Sequence, residues 1–311
     1  MAGKSLKYEA PHSLAELWSL LEDDLENIGF LAGGTDLLVK LKRKQLDLIR
    51  LIDLKTIEDL KGIWLDENLR LHIGALTTLT ELSTHPLVMK HSPVLVATAR
   101  KMASVQVRNR ATIGGNLCNA APSADLAPPL LVLDAVVKVV SGKGARELAL
   151  KSLFTGPGQI ALQPGEVMAE VIVPASEPGT KVIYLKQGLR QALDIAMVCA
   201  AVKLTLSGDL CQEAAIALGA VAPTPIRVEA AEDWLRGRRI DTQSIAKAAD
   251  LARLAANPIS DVRATADYRS ELVAALVAKG IQQCVMQASE YGEPLPLVEV
   301  GVSRLDEGSD K

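Results

Sequence analysis

The 311-residue sequence predicts an α+β chain, with a two-lobed α/β part followed by an antiparallel sheet carrying helices on one side. Three observations lead there. Up to about residue 103, short apolar runs of strand length alternate with segments of helical period, the pattern of α/β lobes. Residues 180–222 then form long, apolar, strand-like runs that read as neighbours in one sheet. Helical periods take over from residue 229. The division falls near 174–179, giving domains at 1–176 (two α/β subdomains) and 177–290, with a tail at 291–311.

In order along the chain, "SLAELWSLLEDDL" opens with Ser13 and has Glu16 three residues on, a capping box. Leu14, Leu17, Trp18, Leu21 and Leu25 then recur at helical spacing. "IGFLA" is a short buried strand ended by two glycines, and "DLLVKLKRK" is a helix start with Asp36 near its N-terminus. "LIRLIDL" and "LRLHIGALT" read as strands, and "TLTELSTHPLV" and "SPVLVATARKMA" as helices. Residues 104–129 are rich in Gly, Asn, Ser and Pro with little periodicity, and an irregular stretch of that length inside a compact domain is usually functional. "AVVKVVSG", "EVMAEVIVP", "TKVIYLKQG", "ALDIAMVCAAVKLTLSG" and "EAAIALGAVA" are strands. "EAAEDWLRG", "DTQSIAKAADLARLAAN" and "RSELVAALVAKGIQQCVMQA" are helices.

Composition removes several classes of function. A net charge of -3 disfavours a phosphate-tracking nucleic-acid binder. No segment approaches the roughly 20 apolar residues of a membrane span, and the N-terminal residues lack the apolar core of a secretory signal, so a soluble cytoplasmic protein is expected. Cys118, Cys199, Cys211 and Cys284 are scattered without a C-x-x-C pair, which argues against a zinc or iron–sulfur site and against a disulfide framework. Aromatic residues are only 3%, so a flat ligand would lean on aliphatic side chains and backbone. The histidines are scattered, and no metal ligand or catalytic acid, base or nucleophile stands out.

Two glycine pairs carry the ligand argument. In "LAGGTDLLVK" two glycines bring backbone N–H groups within reach of a bound group, and successive N–H groups form an anion-binding concavity. A helix start follows at once. A carboxylate repels phosphate, so Asp36 is expected to cap the helix and brace the loop while its backbone N–H faces the ligand. Read alone, the stretch favours a plain turn over a phosphate loop, and it is not the G-x-G-x-x-G dinucleotide fingerprint. "TIGGN" supplies a second pair beside a hydroxyl, an amide and, further on, the lone acid Asp125. Gly34→Val is expected to cost ligand before it costs the fold.

"AGGTDLLVKLK" and "TIGGNLCNAAPSADLAPPLLVLDA" resemble the two FAD-binding motifs of the flavoprotein (medium) subunit of the molybdenum hydroxylases, the xanthine and carbon monoxide dehydrogenase family. "LFTGPGQIALQPGEVMAEVIVP", "YLKQGLRQALDIAMV", "LGAVAPTPIRVEAAE" and "NPISDVRATADYRSEL" follow in the family's order over nearly the whole chain. The resemblance implies a two-lobed FAD-binding domain of the vanillyl-alcohol-oxidase/PCMH type and an electron-transfer role. It matches Ala32, Gly33, Gly34, Thr35, Asp36 and Leu37 to the first pyrophosphate loop, and Thr112, Ile113, Gly114, Gly115 and Asn116 to the second. It places Asp125 as an acid contacting FAD, Met102 and Met168 where apolar groups line it, Lys186 near its flavin end, and Cys118 near the isoalloxazine.

The resemblance further implies non-covalent FAD, an iron–sulfur subunit with two [2Fe–2S] clusters, a molybdopterin-binding large subunit, and a dimer of heterotrimers. Electrons would leave to a small-molecule or protein acceptor. The competing readings are a stand-alone flavin oxidase and an assembly subunit whose flavin site is degenerate. Outside the two motifs, the run Lys40, Lys42, Arg43, Lys44 reads as a solvated helix face, and Arg263, Asp267, Tyr268 and Arg269 as organisers of the second lobe or of an interface.

Overall fold

The computed structural model describes residues 6–22, 26–190 and 193–288; the expected tail at 291–311 and Leu25 lie outside them. The chain begins with β1 (Lys7–Glu9), α1 (Leu14–Leu21), β2 (Ile28–Leu31), α2 (Leu37–Lys42) and β3 (Arg50–Asp53). These strands form a parallel sheet in the order β1-β3-β2. β1 has no apolar pattern to announce it. It is recruited to the edge of β3 by polar contacts: Tyr8 Oη donates to Asp53 at 2.6 Å, and Arg50 Nε donates to Glu9 at 2.8 Å. The cap of α1 differs from a capping box by one position. Ser13 accepts from the Glu16 N–H at 3.1 Å, but the Glu16 carboxylate takes the N–H of His12.

The middle of the chain holds β4 (Ile63–Leu65), β5 (Leu71–Gly74), α3 (Leu79–Thr84), α4 (Pro86–His91), α5 (Pro93–Lys101), α6 (Val105–Arg108), α7 (Ile113–Cys118), α8 (Ala127–Val132), β6 (Val136–Ser141), β7 (Gly144–Ala149), β8 (Phe154–Gly156), β9 (Gln159–Ile160) and β10 (Val167–Val173). Two expectations change. Pro86 splits the single expected helix into α3 and α4, since proline removes a backbone donor and is tolerated only in a first turn. The stretch read as irregular at 104–129 contains α6, α7 and the start of α8, each too short to show a helical period. The five-stranded sheet β4-β5-β10-β6-β7 is antiparallel at every pairing, so only the first lobe has the parallel α/β form.

The last part comprises β11 (Thr180–Gln187), β12 (Val198–Ser207), β13 (Leu210–Gly219), β14 (Ile226–Arg227), α9 (Glu229–Leu235), α10 (Thr242–Ala255) and α11 (Ala266–Ala288), with the strands antiparallel in that order. Its helices pack on one face, as expected, against Val198, Ala200, Val202 and Leu204. The opposite face, with Cys199, Ala201, Ala215 and Ala217, continues the core of the middle lobe, where α8 lies on β12 and β13. Both faces are therefore covered, which is why β12 and β13 read as nearly continuous apolar runs. Polar ties cross the same boundary. Asp134, just beyond α8, receives Lys203 at 2.9 Å and Arg227 at 2.7 Å.

Arg269, only 1% exposed, donates to Asp261 at 2.7 Å and to the Met197 carbonyl at 3.2 Å, so it ties α11 to the loop before it and to the entry of β12. The expectation that the "DVRATADYR" segment organises this lobe is met at that residue. Arg269→Leu should destabilise the protein by about 3 kcal/mol in chemical denaturation, because it strands a carbonyl and leaves Asp261 to Arg263 alone. Hydrogen bonds from Arg263 hold the Asp261 carboxyl well below its usual range. A lowered carboxyl contributes stability that is complete above the unfolded-state value near ~3.9 and declines as pH falls toward the folded-state value. The stability difference between wild type and Asp261→Asn should therefore be constant at neutral pH and shrink in acid.

Candidate functional site

The two glycine loops meet because one of them has no side chain. A Cβ on Gly33 would collide with the Arg110 carbonyl and lie 2.8 Å from Ala111 Cα. The loop after β2 is thus pressed onto the segment that leads into α7. A cleft of about 420 Å³ opens beside this contact. Its walls are mainly aliphatic, with Ile28, Leu54, Leu76, Ile160 and Val167 among them, Gln163 and Glu166 add polar groups, and Phe30 is the one aromatic residue lining it among the described residues. Of the residues picked out in the sequence, Ala32, Gly114, Gly115, Cys118 and Met168 line it. The scarcity of aromatic residues led to an expectation of such walls.

The loops differ in what their amides do. In the second, Ile113 N–H donates to the Thr77 carbonyl at 3.0 Å and Gly114 N–H to that of Ala75 at 2.9 Å. Gly115 N–H donates to Thr112 Oγ1 at 3.0 Å, where Thr112 caps α7, and Asn116 N–H to the Thr112 carbonyl at 2.9 Å. None of these four is open to a ligand. In the first loop, the N–H groups of Gly33, Gly34, Thr35, Asp36 and Leu37 donate to nothing among the described residues. Five consecutive open donors beside a cleft are what an anionic oxygen needs.

Asp36 does not cap α2. It sits at the N-cap position with helical backbone (φ -106°, ψ -48°), and its side chain accepts no cap hydrogen bond. Capping requires an extended residue whose side chain can turn back on the first turn. Thr35 Oγ1, at 3.5 Å, is too distant to make the carboxylate a brace. The second loop instead offers a side chain: Asn116 Oδ1 is buried and has no hydrogen-bond partner. An orphaned acceptor in a native site calls for a donor from outside the chain. Lys40, expected on a solvated face, donates to Asn119 Oδ1 at 2.6 Å and ties α2 to the end of α7, while Lys42, Arg43 and Lys44 are exposed as expected.

Asp125 and Lys186 form a second centre. Lys186 Nζ donates to Asp125 Oδ2 at 2.9 Å and Tyr184 Oη to Oδ1 at 2.5 Å, with Asp125 and Lys186 side chains 13% and 11% exposed. Lys186 is therefore an ion-paired lysine, not a solvated strand cation. It lines a second cleft of about 380 Å³ with Lys101, Gln187, Gly188, Leu189, Arg190 and Asp194. Sequence reading missed Tyr184, although its position two residues before Lys186 on a strand puts both on one face. Met102 lies on the wall of neither cleft. At the end of α5 its apolar side chain is drawn into the middle-lobe core. Ile113 is buried there too. Burial pushes the Cys118 thiol up to about 12, so it is a protonated wall group.

No cluster of His, Cys, Asp or Glu among the described residues could hold a metal ion, and all four cysteines are free. No helix among them is long and apolar enough to cross a membrane.

Gly34 has φ +74°, and a Cβ there would come 2.9 Å from Leu31 Cδ1. Gly34→Val should therefore lower folding stability together with any ligand binding, contrary to the expectation from sequence, since a β-branched residue is strained at positive φ. Gly33→Ala should cost about 1–3 kcal/mol through the overpacked loop contact, and urea melts of both variants check this.

Residues 4–176 match the family model of the FAD binding domain in molybdopterin dehydrogenase, and residues 183–284 that of the CO dehydrogenase flavoprotein C-terminal domain. The chain is 33% identical over 283 residues to the xanthine dehydrogenase FAD-binding subunit of Escherichia coli O157:H7, covering 90% of this chain and 96% of that one. It is 33% identical over 275 residues to the carbon monoxide dehydrogenase medium chain of Hydrogenophaga pseudoflava, covering 88% and 95%. Among solved structures, carbon monoxide dehydrogenase from H. pseudoflava lacking the Mo-pyranopterin moiety of its molybdenum cofactor superposes with a TM-score of 0.88 at 32% identity, covering 93% of this chain and 99% of that one. Quinoline 2-oxidoreductase from Pseudomonas putida 86 gives 0.86 at 32% identity, covering 93% and 99%.

Proposed function

The chain belongs to the FAD-binding medium subunits of the xanthine and carbon monoxide dehydrogenase family, flavoprotein components of molybdenum-containing oxidoreductases, and on that premise we propose how it works. It binds FAD non-covalently within residues 1–176, backed by the sheet and helices of 177–290. It passes electrons from [2Fe–2S] clusters on a partner subunit through FAD to an external acceptor, while a molybdopterin-binding large subunit oxidises the substrate. A dimer of heterotrimers is the assembly this division of labour favours. The four scattered cysteines support placing the clusters on another chain.

The observation that carries the reading is the run of open amides from Gly33 to Leu37 against the second glycine loop. These donors suit a pyrophosphate, whose charge they meet without an opposing cation. The orphaned Asn116 Oδ1 suits a sugar hydroxyl, and the aliphatic cleft suits a ring system. The flavin, once bound, accepts and releases electrons singly or in pairs. This chain's residues hold and orient it and exclude water, and none of them needs to act as acid, base or nucleophile. The protonated Cys118 thiol supports non-covalent binding, because a thiol must ionise before it can attack a ring.

Purified with the products of its neighbouring genes, the protein should be yellow, and acid precipitation should leave the colour in the supernatant. A colourless complex sinks the proposal, and a yellow pellet sinks its non-covalent part. Asn116→Leu should weaken FAD by roughly tenfold, the worth of about one hydrogen bond, while the flavin-free protein melts no lower than wild type. Titration of apoprotein with FAD, followed by fluorescence quenching, measures the first effect and calorimetry the second.

A further inference from the structure

We propose that Tyr184 is a positioning residue that sets the electrostatics of the flavin end of the site, by holding the Asp125 carboxylate against Lys186. The inference rests on the FAD reading above and on the family resemblance, which matches Lys186 to a lysine near the flavin end.

Tyr184 and Lys186 are two apart on β11, so both side chains leave the same face of the sheet, the face that packs on the middle lobe. Asp125 arrives from that lobe, in the turn between α7 and α8. Its two oxygens are shared out: Oδ1 takes the Tyr184 hydroxyl at 2.5 Å and Oδ2 takes Lys186 Nζ at 2.9 Å. Tyr184 is buried, 6% exposed, and its ring sits in the shared core, so the hydroxyl cannot turn away to water. Burial first, and then the neighbouring Cys199 and Asp125, raises its pKa well above the ordinary value, so it remains an O–H donor throughout the working range.

The arrangement fixes a charge as well as a shape. Lys186 reaches the wall of the second cleft as half of an ion pair, and the cluster carries no net charge. A lone ammonium there would favour the electron-rich, reduced flavin, and a lone carboxylate would oppose it. The Tyr184 hydrogen bond withdraws part of the carboxylate's charge and locks its orientation. Removing it leaves the full carboxylate to offset Lys186.

The consequence is an order. Asp125→Asn exposes the lysine charge and should raise the flavin midpoint potential above wild type. Tyr184→Phe should lower it, and Lys186→Met should lower it further, because a carboxylate then stands alone. A merely structural role would lower FAD affinity in all three without sorting the potentials by charge. The experiment is a spectroelectrochemical titration of the FAD-loaded complex for wild type and each variant, at two pH values. Tyr184→Phe keeps the buried ring, and unchanged circular dichroism and melting of the flavin-free protein confirm that the fold survives. Potentials of Asp125→Asn above, and Tyr184→Phe below, wild type support the proposal. A Tyr184→Phe potential equal to wild type, or shifts of one sign in all three variants, overturns it. Failure of wild type to bind FAD overturns the functional reading instead.

Discussion

Gly33 has no room for a methyl group, and much of the molecule's use follows from that. The loop after β2 lies flat on Arg110 and Ala111, which holds the small parallel lobe at one distance from the antiparallel middle lobe. Three short strands and two helices bury little apolar surface of their own, so such a lobe gains order from what it rests on. Once it is seated, the N–H groups from Gly33 to Leu37 have no acceptor among the described residues, and Ala32, next to them, lines the cleft. The same contact therefore builds the fold and the ligand surface.

A second constraint joins the middle lobe to the last sheet. The small residues Cys199, Ala201, Ala215 and Ala217 let α8 lie close on β12 and β13, and Asp125 and Asp134 reach from that lobe to basic residues of the sheet on either side of α8. Asp134 forms a structural tie at the end of the helix. Asp125 forms one that also opens onto a cleft. Acids of the middle lobe thus meet lysine or arginine of the last sheet twice, and at the Asp125 meeting the lysine also lines a cleft.

The fold was legible where a period repeated. β12, β13, α10 and α11 lie where their apolar runs put them. β1 was not legible, because its position depends on Tyr8 and Arg50 finding partners some forty residues away. The direction of the middle sheet was not legible either, since alternation along the chain says nothing about how β5, β10 and β6 pair. At the site, Ala32, Gly114, Gly115, Cys118 and Met168, picked out by the family resemblance, line one cleft, while the pairing of Asp125 with Lys186 was not anticipated. Sequence reading missed or mistook the purpose of individual residues. Gly33 was read as bringing its N–H toward a ligand, and the packing of the chain on Arg110 and Ala111, which also requires a glycine there, was not read. Asp36 was read as a cap and has the wrong backbone for one.

The open amides also determine how such a site can change over generations. A contact made by backbone N–H groups is the same whichever side chain hangs from the residue, so Thr35, Asp36 and Leu37 can vary in chemistry without altering what they offer. Only loss of the loop's shape removes the donors, and that shape is guarded at Gly33 and Gly34. A grip of this kind tolerates wide drift in surrounding sequence while keeping one ligand. It would let subunits that serve quite different substrates elsewhere in an assembly share an electron carrier.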